Sequence, residues 1–328
     1  MATEPLFSPL RFHHVYKDYP WGGTRIAERF GRTDTPPVCA ESWEVSAHPN
    51  GKSFVLDGPL AGIALDELSI HFGRSLLGSN SPNPNRFPLL FKIIDAHRNL
   101  SVQVHPSPAD PTALPGDIKN ECWFLLGDTP TAGLYAGFRD GVDKESLTKA
   151  LETGTPRVDS MLRQFPARKE ESIFIHSGLV HAIGAGCLIY EVQQSADVTY
   201  RFYDWDRVDA QGRSRPLHIP EALRSIDWGL PPVRLATPKP CLETPGLSFC
   251  VRTPYFTLHR LFPEKKMRLR TNWESFHVIF VDRGSLLLST KGGEMAVKEG
   301  TSALIPAAAD SYEVTPLVPG SAALLTHL

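Results

Sequence analysis

The segment "LSVQVHP", Leu100 to Pro106, alternates in the manner of a strand, with Leu100, Val102 and Val104 on one face and Ser101, Gln103 and His105 on the other. The stretch before it, "PLLFKIID", is largely apolar and suits a buried strand. Gln103 and His105 therefore face either water or the interior of a barrel, where an amide and an imidazole side by side can hold an ion. Partners exist downstream. Glu121 opens the apolar run "ECWFLL", and His181 follows a glycine-containing turn in "IHSGLVHAIG". Two imidazoles and a carboxylate from separate strands suit zinc, iron or manganese. A neutral amide oxygen is a hard, weak fourth ligand that leaves a divalent ion net positive and a strong Lewis acid.

The elements that must position these residues are mostly strands. The 29 prolines break helices and central strands, so the chain reads as many short strands joined by turns. "TRIAERFG" predicts a short helix ending at Gly31, and "ALDELSIHFGRSLLG" predicts one or two more. "DKESLTKALETG" and "RVDSMLRQF" predict a two-helix insert at about 140–165. Residues 207–247, rich in Pro and Arg around the helical run "PEALRSIDWG", read as the connection to a second β unit. The expected division is 1–235 and 236–328.

Bulk properties exclude several function classes. Lys plus Arg number 34 against 36 Asp plus Glu, which gives no reason to expect nucleic acid or an anionic membrane as partner. No apolar run reaches the ~18 residues of a membrane span. The opening "MATEPLFSPL" has an acid and prolines where a signal peptide needs a basic start and an apolar core, so a cytoplasmic protein is expected. Cys39, Cys122, Cys187, Cys241 and Cys250 are scattered without a C-x-x-C, against a disulfide framework or a cysteine metal cluster.

The order Gln103-x-His105, Glu121, Gly178-x-x-His181 resembles the ligand order of a cupin barrel, with Gln103 in place of a first His and His176 in place of a Pro. Longer stretches carry a closer likeness. "LLFKIIDAHRNLSVQVHP", "KNECWFLL", "GLVHAIGAGCLIYEVQQSADVTYRFYDWDR" and the earlier "WGG" and "ESWEVSAHPNG" resemble the type I mannose-6-phosphate isomerases of short bacterial form, over most of residues 15–215. The resemblance implies a mainly β fold of two cupin-type jelly-roll barrels with a short helical insert. It implies one Zn2+ per chain, held by Gln103, His105, Glu121 and His181. Arg201, Lys119, Glu191 and Asp197 fall on active-site positions of the family. The implied reaction interconverts mannose 6-phosphate and fructose 6-phosphate through a cis-enediol, with a small sugar phosphate as partner. The sequence departs from the family at His97, Arg98 and the prolines of "HPSPADP", none of them a ligand. In the second barrel "HVIFVDRGSLLL" offers His277 without a following Glu, and Ser311 and Tyr312 stand where a ligand His would fall, so that barrel is expected to be metal-free and to serve packing.

Moving a proton between C1 and C2 of a sugar phosphate needs a cation near both oxygens, an acid/base pair, a ring-opening group and a phosphate clamp. Arg201 suits a developing enediolate or the phosphate. Lys119 reaches the phosphate or acts as an acid. Glu191, flanked by apolar residues in "LIYEVQ", becomes a useful base if it points into the barrel, because burial raises its pKa. Asp197 is placed to orient Arg201. Two rival readings remain at this point. His105, Glu121 and His181 also form the 2-His-1-carboxylate triad of an Fe(II) oxygenase, and a bicupin can bind sugar without catalysis.

Overall fold

Short alternating segments punctuated by proline and glycine have little option but to pair as strands, and the computed structural model, which describes residues 7–127, 129–155, 157–208 and 211–328, is built mainly of them. The first barrel uses β1 (Val15–Lys17), β2 (Glu41–Ser46), β3 (Leu89–Asp95), β4 (Val102–Val104), β5 (Glu121–Leu125), β6 (Thr129–Phe138), β7 (Leu162–Ala167), β8 (Ser172–Ile175), β9 (His181–Ile183), β10 (Leu188–Gln194) and β11 (Tyr200–Tyr203). They form two antiparallel sheets, β1-β2-β3-β10-β5-β8 and β11-β4-β9-β6-β7.

The second barrel uses β12 (Lys239–Pro240), β13 (Leu247–Arg252), β14 (Thr257–Leu261), β15 (Met267–Arg270), β16 (His277–Arg283), β17 (Ser285–Thr290), β18 (Gly293–Lys298), β19 (Thr301–Ile305), β20 (Ser311–Pro316) and β21 (Ala322–His327). Its sheets run β12-β13-β14-β21-β16-β19 and β15-β20-β17-β18. The run β14-β21-β16-β19 repeats the arrangement β3-β10-β5-β8, so the two barrels are structural copies of one plan.

The helices are α1 (Arg25–Phe30), α2 (Leu65–Phe72), α3 (Arg74–Leu77), α4 (Lys144–Thr153) and α5 (Ile219–Ser225). Helix α4 starts at Asp143, whose carboxylate accepts from the Ser146 N–H at 2.8 Å, and stops at Gly154, which has φ 69°. None of the helices among the described residues is long and apolar enough to cross a membrane.

Two expectations need correction. "RVDSMLRQF" is not a second helix of the insert: a single 3-10 turn, Val158–Met161, leads straight into β7. Leu162 and Ala167 are buried there, and Pro166 is tolerated because β7 is an edge strand that needs no donor on its open side. Residues 207–247 are likewise more than a connection. Helix α5 packs on the first barrel, where Ala222 and Ile226 join Val102, Val104 and Phe202 in one apolar cluster.

Strand β5 shows how the core is divided. Cys122 and Phe124 face the apolar layer between the two barrels, while Trp123 and Leu125 face the first barrel's interior. Burial on both sides explains the unbroken apolar run seen in the sequence. The layer between the barrels also takes Phe91, Tyr190, Phe276 and Phe280. Tyr190 stacks on Phe280 with ring centres 4.6 Å apart, and Phe87 meets Phe276 at 4.7 Å. At the same boundary Arg260 pairs with Asp282 of its own barrel and, at 3.2 Å, with Glu170 of the first.

Candidate active site

The interior face of the first barrel's larger sheet carries a row of charges. Lys92 on β3 lies opposite Glu191 on β10, Glu191 lies opposite Trp123 on β5, and Gln193 lies opposite Glu121. Glu121 and Glu191 are therefore diagonal neighbours on one face. The Lys92 ammonium sits 3.5 Å from both Glu41 Oε2 and Glu191 Oε2. Trp43 donates its indole N–H to Glu41 at 2.7 Å, and Trp123 donates to Glu191 at 3.1 Å. Burial opposes the charge on Lys92, but Glu41 and Glu191 outweigh it and raise its pKa. Glu191 moves the other way from a normal carboxyl: burial first, then the charge of Glu121, raise its pKa to about 7.

The smaller sheet supplies the rest. Gln103 on β4 pairs with His181 on β9 and with Arg201 on β11, and His105 follows directly after β4. Donor atoms of His105, Glu121 and His181 lie within 4.8 Å of one another, and all three residues are buried. His105 Nε2 is 3.3 Å from Glu121 Oε2, and His181 Nε2 is 3.5 Å from Glu121 Oε1. The Gln103 amide reaches His181 Nε2 at 3.3 Å. A half-turn of that amide presents its oxygen in the same place.

The backbone fixes both imidazoles for ligation. His105 Nδ1 donates to Val198 O at 3.0 Å and His181 Nδ1 to Leu179 O at 2.8 Å, so each Nε2 keeps its lone pair for the centre of the group. Burial lowers the pKa of both; Lys119 adds to the effect at His105, and the His105 imidazole helps bring His181 to about 3. Burial works against charge on Glu121, yet Lys119 and His105 hold its pKa well below the usual range. His105 Nε2 is buried without a hydrogen-bond partner. Two neutral imidazoles, an ionised carboxylate and an orphaned ring nitrogen fit a divalent ion.

The four residues expected as ligands thus come together, and so do the expected catalytic groups. Lys119 is buried with its ammonium 2.8 Å from Glu121 Oε2. Lys119, Glu191, Asp197 and Arg201 all line one cavity of about 310 Å3. Arg201 is half-buried, and its Nε donates to Ser101 Oγ at 3.1 Å. Asp204 pairs instead with Arg207 and Arg215, and Asp206 with Arg157. Burial and Arg215 both press the Arg201 pKa down, a cost that an incoming anion relieves. Asp197 accepts from Asn50 Nδ2 at 2.8 Å.

Sequence reasoning missed Glu41, Lys92, Arg215 and His218, which line the same cavity. A lone lysine inside the apolar "PLLFKIID" was the available signal for Lys92. Arg215 and His218 gave none. They reach the site because the His218 N–H donates to Arg201 O at 2.6 Å, tying the Pro- and Arg-rich segment onto β11.

The chain is similar to known proteins along nearly all of its length. The phosphomannose isomerase type I catalytic domain matches residues 10–122. The mannose-6-phosphate isomerase of Streptococcus mutans is 34% identical over 314 residues, 95% of this chain and 95% of that protein. The chain belongs to the type I phosphomannose isomerase family. A Bacillus subtilis family member is 41% identical over 229 residues, 69% of each chain. The crystal structure of the mannose 6-phosphate isomerase from Bacillus subtilis superposes with a TM-score of 0.85 at 27% identity, covering 98% of this chain and 100% of that one. A structure described as a holo, zinc-bound mannose 6-phosphate isomerase shares the fold, with a TM-score of 0.74 at 19% identity over 97% and 99% of the two chains. Membership of the phosphomannose isomerase family makes the chain an isomerase and sets aside the oxygenase and the non-catalytic sugar-binding readings.

Proposed function

We propose that this chain interconverts mannose 6-phosphate and fructose 6-phosphate with a zinc ion held by Gln103, His105, Glu121 and His181. The observation that carries the reading is the buried His105, Glu121, His181 group with both Nε2 lone pairs set by backbone carbonyls, in a chain of this family. The zinc-bound fold neighbour supports the choice of metal. When bound, zinc supplies Lewis-acid polarisation of the sugar's carbonyl and adjacent hydroxyl oxygens.

The chain's own groups do the rest. Glu191, with a pKa near neutrality, takes the proton from one carbon and returns it to the next by way of a cis-enediol. Lys92 and Trp123 hold its carboxylate on the cavity wall. Lys119 keeps Glu121 ionised and offers its remaining N–H groups to substrate oxygens. Arg201, free of a carboxylate partner in the contacts above, takes the phosphate or the enediolate. Asp197, already engaged by Asn50, accepts a sugar hydroxyl rather than orienting Arg201. A cavity of about 310 Å3 sits at the small end of ordinary ligand sites, matching one hexose phosphate. Residues 1–235 carry this chemistry, and residues 236–328 support it from the second barrel.

The test is to measure bound metal in the purified protein and to assay mannose 6-phosphate against fructose 6-phosphate before and after chelation. Activity that falls on chelation and returns with zinc supports the reading. Full activity in rigorously metal-free protein, or turnover of neither sugar phosphate, overturns it.

A further inference from the structure

The second barrel holds a row of imidazoles where the first holds its row of charges. His259 pairs with Leu325 as Lys92 pairs with Glu191, and His277 opens β16 opposite Ile305 as Glu121 opens β5 opposite Ile175. His327 ends the central strand β21, between them. Each histidine alternates with interior residues: His259 with Leu261, His277 with Ile279, His327 with Leu325. All three consequently share the barrel's inner face. They open onto a cavity of about 630 Å3 that Glu274 also lines.

Their chemistry is that of neutral nitrogen donors. Burial lowers the pKa of all three, and that of His259 falls to about 3 with a further contribution from His327. His327 Nδ1 donates to Leu328 O at 3.0 Å, which leaves its Nε2 as a lone pair. His277 Nδ1 is engaged by Tyr312 OH at 2.8 Å, so its Nε2 is the atom left for a ligand. These are the same outer contacts, a carbonyl or a hydroxyl on Nδ1, that orient metal-binding imidazoles. His259 Nε2–H donates to His327 Nε2 at 3.1 Å, and His259 Nδ1 is buried without a hydrogen-bond partner. The edge of a tetrahedron built on Zn–N bonds of about 2.0–2.1 Å is about 3.3 Å, so an ion that takes the place of the shared proton, with His259 carrying its proton on Nδ1 instead, meets both nitrogens with little movement.

We propose that His259 and His327, with His277 lining the same cavity, form a second site for a borderline divalent cation such as Zn2+, Cu2+ or Ni2+. This departs from the metal-free second barrel expected from sequence. The ring centres of His277 and His327 are 5.3 Å apart, against 4.7 Å for His105 and His181, so His277 stands wider than the imidazoles of the first site. Imidazole donors select these metals over Mg2+ or Ca2+. The large cavity leaves the remaining coordination positions open to water or an outside ligand.

The test uses full-length protein with its first site loaded with zinc, titrated with Cu2+ and followed by equilibrium dialysis and electron paramagnetic resonance. The expected result is one further equivalent bound, with hyperfine coupling from imidazole nitrogens. His259→Ala and His327→Ala should each weaken that uptake by about tenfold or more and leave isomerase turnover and first-site zinc unchanged. No further equivalent, or uptake equal in both variants and the parent, overturns the proposal. If the variants do not fold, the spectrum of the unaltered protein still decides, because a signal with oxygen coordination alone also overturns it. The residues altered are not those of the first site, so failure of the zinc assignment there is read separately.

Discussion

Replacing Arg201 by Ala separates catalysis from folding. In the structure the guanidinium is half-buried and, among the described residues, makes one hydrogen bond, to Ser101 Oγ at 3.1 Å, while Asp204 and Asp206 are taken by other arginines. Removing it orphans no buried carboxylate, so the stability loss should be about 1 kcal/mol. For a chain of this size that moves the melting temperature by roughly 2–4 °C or less. If Arg201 meets charge that develops on the reacting sugar, losing it should cost about 2.7–4 kcal/mol in kcat/KM, a factor of about 10²–10³. Zinc content should stay at the parent value, because the side chain is not a ligand. Arg201→Lys should recover little, since the ammonium keeps the charge without the planar fork. Steady-state kinetics, elemental analysis and thermal melts on the two variants check all three points. Near-parent turnover in Arg201→Ala would refute the role and weaken the anion clamp built around it.

His105→Ala and Glu121→Ala should lose metal and activity together, which elemental analysis beside the assay will show; iron in the active parent protein would sink the zinc assignment. Lys92→Met leaves Glu41 and Glu191 buried without their shared cation and should destabilise the fold by about 3–5 kcal/mol in denaturant melts; a loss under about 1 kcal/mol would show that the row of charges is not structural. Burial and the charge of Glu121 push the folded Glu191 carboxyl up to about 7 from an ordinary 4.5, so the folded state binds its proton more tightly than the unfolded chain does. Its contribution to stability is therefore greatest below 4.5 and declines by about 3 kcal/mol as pH rises to about 7. Melts of metal-free protein across that range should show the slope, and Glu191→Gln should flatten it.

The grouping of Gln103, His105, Glu121 and His181 was legible because each sits beside apolar residues of period two or at a glycine turn, in the order of the family that the chain resembles. Pairing across strands is what the chain does not display. Glu41, Lys92 and Glu191 become one row only through the β2-β3-β10 register. His259, His277 and His327 share a face only because β21 inserts between β14 and β16. Leu, Arg and Gln in "MLRQF" favour a helix locally, but pairing with β6 overrides that preference. Arg215 and His218 lie in a segment without periodicity, so only tertiary contact places them.

The position of β21 bears on how this protein is made. It follows the other strands of its barrel in sequence, at residues 322–327, yet it occupies a central place between β14 and β16. A chain emerging from the ribosome cannot complete the second barrel until that strand is free. Phe91, Phe124 and Tyr190 of the first barrel wait with it, because their cover includes Val278, Phe280 and Leu324. Translation at about 5–20 residues per second therefore leaves an apolar face uncovered after the active-site strands have already been synthesised. Nascent chains stalled before residue 322 should bind chaperones through that face, and emergence of β21 should end the exposure in one step.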